Sequence, residues 1–136
     1  MNTSIFSSEQ LLKWLFTTDT MGTRPTAWHV SLHTGDPTLD GSGNEVSDAN
    51  YARQSATFTA TQPSAGEVWQ VTNDADVVFP ASANAYTVTH VCVFDAATGG
   101  NVLGIFELPL SRSISAGGVF SIPINELVIA GGTVGV

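Results

Sequence analysis

Charge is scarce in this chain of 136 residues: Asp, Glu, Lys and Arg make up only 12 %, against about 25 % in ordinary globular proteins. Basic residues are the scarcest. Lys13, Arg24, Arg53 and Arg112 stand against twelve acidic residues, for a formal charge of −8. Binding to a phosphate backbone draws on clustered Lys and Arg, so nucleic acid is excluded as an expected partner. A polybasic membrane contact is excluded on the same ground. Cysteine is nearly absent. With Cys92 alone there is no intrachain disulfide and no cysteine-based zinc site. Long apolar runs are missing too, since nothing approaches the ~18 unbroken residues of a membrane span. The stretch Leu11 to Phe16 is short, is interrupted by Lys13 and follows Glu9, so it does not read as a signal peptide. Synthesis in the cytoplasm is the expectation, with no cofactor.

What is present suits a folded domain. Apolar residues make up 43 %, and a chain of this length buries roughly 68–70 % of its unfolded surface without metal or disulfide. One helix is legible: Ser7 and Gln10 form a Ser-x-x-Gln capping box, and Leu11, Leu12, Trp14, Leu15 and Phe16 follow. Those residues cover more than one face, so the expected helix is buried in its own core or against a neighbour. Thr17 to Pro25 is rich in breakers and ends it.

From Trp28 the period becomes two. Trp28, Val30 and Leu32 alternate with His29, Ser31 and His33, which predicts a strand with one apolar face. Thr34 to Asn50 reads as a long loop, and Tyr51 to Thr59 as a second extended run. Further strands are predicted at 68–71, 77–79, 86–94, 102–108, 119–124 and 127–129, with 95–101 as a hairpin loop. Short strands with regular turn signals predict an all-β fold: a single antiparallel β-sandwich or jelly-roll-like domain over 28–136. One short N-terminal helix and linker, 1–27, packs on that domain or on a neighbour.

Candidate chemistry is thin. His29 and His33, four apart on a strand, are about 13 Å from each other and cannot share an ion, so both read as polar-face histidines. His90 reads as a satisfied core histidine and Cys92 as a buried hydrophobe. No Gly-x-Ser-x-Gly elbow exists, and no catalytic residue is assigned. Asp40, Ser42 and Asn44 fit positions 1, 3 and 5 of a calcium loop, but Glu45 and Tyr51 stand where Gly and Glu belong. No metal site is assigned either. Arg53, the one basic residue within a strand, is a candidate to pin the loop by pairing with Asp36 or Glu45.

Three segments resemble one family in order. Trp28-His29-Val30-Ser31-Leu32-His33-Thr34-Gly35-Asp36-Pro37 is similar to the "sLHTaDP" opening of small tailed-bacteriophage structural proteins. Asn44-Glu45-Val46-Ser47 with Tyr51-Ala52-Arg53-Gln54 resembles their "NEVsg-YaRq" segment, and Thr87 to Gly100 their "vTHvgiFDaatgG" hairpin. Cys92 and Gly35 depart from the pattern, which has Gly and Ala there. The family is usually labelled tail-fibre or minor tail protein, and similar modules decorate capsids. The resemblance implies a virion component without enzymatic role, made in the host bacterial cytoplasm. Its implied partners are other virion proteins and copies of itself, as a homo-oligomer such as a trimer. Leu11, Trp14, Leu15, Phe16 and Trp28 are the expected interface anchors. The alternative is a receptor- or carbohydrate-binding module of a phage appendage, which exposed Trp69, Tyr51 or Tyr86 around a groove would favour.

Overall fold

A computed structural model describes residues 2–130. Its ten strands are β1 Asn2–Thr3, β2 Trp28–His33, β3 Gln54–Ala56, β4 Phe58–Thr61, β5 Gln70–Asn73, β6 Val77–Val78, β7 Tyr86–Phe94, β8 Val102–Ile114, β9 Ser121–Ile122 and β10 Val128–Ala130; the helix α1 spans Ile5–Phe16. A five-stranded sheet runs β1-β8-β7-β2-β3, a three-stranded sheet β10-β5-β4 and a two-stranded sheet β6-β9, with every pairing antiparallel. This is the mostly-β, sandwich-like architecture with one N-terminal helix that the strand spacing predicts. Residues 131–136 of the expected domain lie outside the described residues.

The main core lies between the sheets. Val30, Leu32, Val88, Val91 and Val93 come from the five-stranded sheet and meet Val77, Phe79, Phe120, Ile122 and Leu127. Burying each such side chain is worth roughly 1.5–3 kcal/mol. The inward face of β7 shifts phase between Val88 and Val91 because its register with β8 slips between Val88 and His90. There residues 108–111 of β8 stand opposite the single Thr89 of β7, and Pro109, which lacks an N–H for the ladder, sits within that bulge. The bulge also explains why β8 runs six residues beyond the predicted end at Leu108.

The five-stranded sheet is covered on its other face as well, contrary to the expected polar side of β2. Ser31 and His33 are fully buried, beside a second apolar cluster of Cys92, Phe94, Val102 and Ile105. The loop after β2 folds back over this face. Thr34 N–H donates to Asn44 O at 2.9 Å and Val46 N–H to Leu32 O at 2.9 Å, so the loop returns alongside the strand it left. Gly41 takes φ +74°, and a Cβ there would lie 2.8 Å from both Phe94 Cζ and Val102 Cβ; only glycine lets the loop press this closely. The run 51–59, read as one strand, breaks at Thr57, where the chain passes from the five-stranded to the three-stranded sheet. Strands that change sheets make the corners of a sandwich.

The start of α1 also differs from expectation. Ser4, not Ser7, is the N-cap: its Oγ accepts from Ser7 N–H at 3.0 Å. Ser4 is fully buried and its hydroxyl donates to Val102 O at 2.5 Å. Pairing of β1 with β8 therefore fixes where the helix begins. Thr17 closes it, its N–H reaching Lys13 O at 3.2 Å.

Candidate assembly surface

Arg53 is held by four hydrogen bonds and a ring face. Nε donates to Glu45 Oε1 at 2.8 Å and Nη2 to Glu45 Oε2 at 2.9 Å, a two-point fork. Nη1 donates to the carbonyls of Ala96 at 3.1 Å and Gly99 at 2.8 Å, and the guanidinium lies 3.6 Å from the Phe94 ring centroid. Tyr51 Oη donates to Glu45 Oε1 at 2.8 Å while accepting from Leu32 N–H at 3.1 Å. Burial works against the Glu45 charge, yet the hydrogen bonds from Arg53 and Tyr51 and the guanidinium's charge outweigh it and hold the carboxyl below its usual range. Glu45's hydrogen bond raises Arg53 in return. One guanidinium thus joins the loop after β2 to the β7–β8 hairpin. Asp36 is not part of this arrangement; its Oδ1 accepts from Thr38 N–H at 2.9 Å within the loop.

His33, Asp40 and Asp48 are each held by hydrogen bonds of their own. His33 shares a hydrogen bond of 2.7 Å between Nδ1 and Gly43 O and one of 2.9 Å between Nε2 and Ser31 Oγ. Burial pushes its pKa down, so the ring is neutral, with Nδ1 donating to the carbonyl and Nε2 accepting from the hydroxyl. His33 is therefore a core histidine, whereas His90, read as one, is half-buried beside Thr89. Asp40 accepts from Thr38 Oγ1, Ser42 N–H and Ser42 Oγ, which pull its pKa to about 2. Asp48 receives the N–H groups of Asn50, Ala83 and Asn84 and fastens the loop to the start of β7. Burial raises the Cys92 thiol to about 12, leaving it inert. Among the described residues no cluster of three His, Cys, Asp or Glu could hold a metal, and no helix is long and apolar enough to cross a membrane.

The exposed apolar surface is concentrated on α1. None of its residues is buried; Trp14 is 67 % exposed and Phe16 75 %. The helix stands off the sandwich, held at its N-terminal end by Ser4 and by Ser7 Oγ, which donates to Leu103 O at 2.6 Å. Phe6, Leu11 and Trp14 line one side of a groove of about 640 Å³, with Met21 to Pro25 of the linker opposite. Gly22 N–H donates to Gln10 Oε1 at 2.6 Å and ties the linker across it. Leu15 and Phe16 lie outside the groove. Trp28, grouped with them in the sequence reading, packs instead at the border of the main core, edge-on to Phe58 at 6.4 Å. Of the aromatic residues considered for a glycan, Trp69 is exposed, but Tyr86 is half-buried and Tyr51 is half-buried and stacked 6.1 Å from Phe79.

Sequence reasoning missed the Ser4 anchor and the capture of Arg53 by hairpin carbonyls. Neither carries a local pattern, because each joins segments more than forty residues apart.

The family described as podophage GP4 fiber I protein gp80 matches residues 2–130, nearly the whole chain. No curated protein matches it significantly.

Proposed function

Because the chain belongs to the podophage GP4 fiber I protein gp80 family, we propose that it is a non-enzymatic structural subunit of a tailed-phage virion. It belongs to the tail and its fibres and acts by binding other virion proteins. The family match carries this reading, and the surface supports it. A free-standing domain rarely leaves a helix with Leu11, Leu12, Trp14, Leu15 and Phe16 all open to water. Aromatic anchors of that kind dominate interface energetics. In this reading residues 1–27 are the attachment segment and the sandwich from residue 28 onward is the body. The Arg53–Glu45 fork keeps the body's loops rigid. The sparse charge of the sheets suits surfaces that lie against neighbours.

The test is direct. Purified virions should contain the chain, and labelled antibody should mark the tail in electron micrographs. Absence from purified particles overturns the reading; label on the head moves the subunit to a capsid decoration. The double variant Trp14→Ser/Phe16→Ser should keep the parent's thermal midpoint yet enter particles poorly. A glycan-binding role rests on Trp69 alone among these aromatics, since Tyr51 and Tyr86 are half-buried.

A further inference from the structure

Phe6 sits where three hollows meet. The first is the groove between α1 and its linker, walled by Leu11, Trp14, Met21, Pro25 and Leu103 and almost wholly apolar. The second holds Asp95 and Asn101, and the third Glu9, Asp40 and Asn101. The apolar groove therefore continues past Phe6 onto an acidic rim, where α1 meets the sandwich.

Two charges of that rim are fixed and uncompensated. Asp40 accepts from Thr38 Oγ1, Ser42 N–H and Ser42 Oγ. Asp95 accepts from Asn101 N–H at 2.6 Å and from Asn101 Nδ2 at 2.9 Å. These donors hold both carboxylates in place without neutralising them. Among the described residues neither forms a salt bridge, whereas Glu9 is paired with Lys13 at 2.6 Å. Arg24 stands apart from α1, on the linker wall. The groove is also preformed, because Gly22 N–H donates to Gln10 Oε1 and sets the linker wall in position. A preformed site spares its ligand the cost of ordering it.

A second copy of this chain does not supply the complement. Lys13, Arg24, Arg53 and Arg112 lie eleven or more residues apart, and Lys13 and Arg53 already hold Glu9 and Glu45. No segment joins an apolar run to two bases. From residue 28 onward ten acidic residues face two basic ones, so two such bodies repel.

We propose that the groove between α1 and its linker docks an apolar segment of a different virion protein, one carrying Lys or Arg toward Asp40 and Asp95. The segment enters as an amphipathic helix enters a groove, apolar face against Leu11 and Trp14 and bases over the rim. The proposal rests on reading residues 1–27 as the attachment segment, and names the chemistry of what is attached.

Calorimetry on the purified full chain tests that chemistry. The probe is a synthetic amphipathic helix with Leu and Trp on one face and Lys on the other. It should bind, more weakly as salt rises, and the same peptide with Glu for Lys should bind about ten-fold less tightly. Leu11→Ser/Trp14→Ser should abolish binding with the parent's thermal midpoint. Asp40→Asn and Asp95→Asn should each weaken it roughly three-fold, while Glu107→Gln, outside these hollows, should leave it unchanged. Failure to bind, indifference to the peptide's charge, or an equal loss in Glu107→Gln overturns the site. In virions, Leu11→benzoylphenylalanine should cross-link on illumination to an apolar segment of another virion protein that carries two or more bases. A cross-link to another copy of this chain, to a segment without bases, or to nothing overturns the proposed occupant. If virions lack the chain altogether, the fibre reading fails, and the peptide titration still decides the groove.

Discussion

At the scale of single residues, Arg53 concentrates more consequence than any other side chain. Its guanidinium satisfies both oxygens of Glu45, two hairpin carbonyls and a ring face at once. Removing it leaves the part-buried Glu45 carboxylate with the Tyr51 hydroxyl alone and takes the guanidinium's donors from two hairpin carbonyls. Arg53→Ala should therefore cost about 3 kcal/mol in urea unfolding. Arg53→Lys should recover little, because an ammonium cannot span the fork. A loss below about 0.5 kcal/mol for the alanine variant would show the fork to be an ordinary surface pair.

At the scale of elements, the helix owes its position chiefly to the serines at its N-terminal end. Ser4 Oγ accepts from Ser7 N–H and donates to Val102 O, so it caps α1 and fastens it to β8 with one atom. Ser4→Ala should lower stability by about 1–2 kcal/mol. The ellipticity of α1 should decline before the sheets melt, since the helix buries no side chain that could hold it alone. A single transition with parent-like helicity would mean that β1 pairing suffices. Such a loosely held helix is free to meet a partner, which is the element-scale argument for the assembly role.

Across the whole molecule, acid should act in two stages. His33 has a folded pKa below its ordinary 6.5 because it is buried neutral. Below pH 6.5 the unfolded chain gains a proton that the native state refuses, so this contribution is complete above 6.5 and falls as pH drops. The carboxyls of Glu45, Asp48 and Asp40 sit below their ordinary 4.5, 3.8 and 3.8. Their contribution is complete above those values and is lost as pH falls through the folded ones. Urea midpoints followed from neutral to acid pH should therefore decline first near 6.5 and again near 4.5. In His33→Gln the first decline should vanish and the second remain. A His33→Gln profile parallel to the parent's would place the first stage elsewhere.

The sequence by itself determined the element types, the sandwich class, the pairing of the two long strands 86–94 and 102–108 through a hairpin, and the oddity of an apolar helix in a charge-poor chain. These are legible because they depend on periodicity and turn chemistry within a few residues. Only the tertiary structure decided that His33 is buried, that Arg53 chooses Glu45 over Asp36, that one strand breaks at Thr57 and that Ser4 begins the helix. The strand 28–33 alternates as a half-exposed strand should, but a loop that returns over it cancels the alternation. Its outer histidine and serine become core because they find partners in each other and in Gly43. Local patterns fix which way a side chain points; what lies on that side depends on segments distant in the chain, and burial is settled only when they arrive.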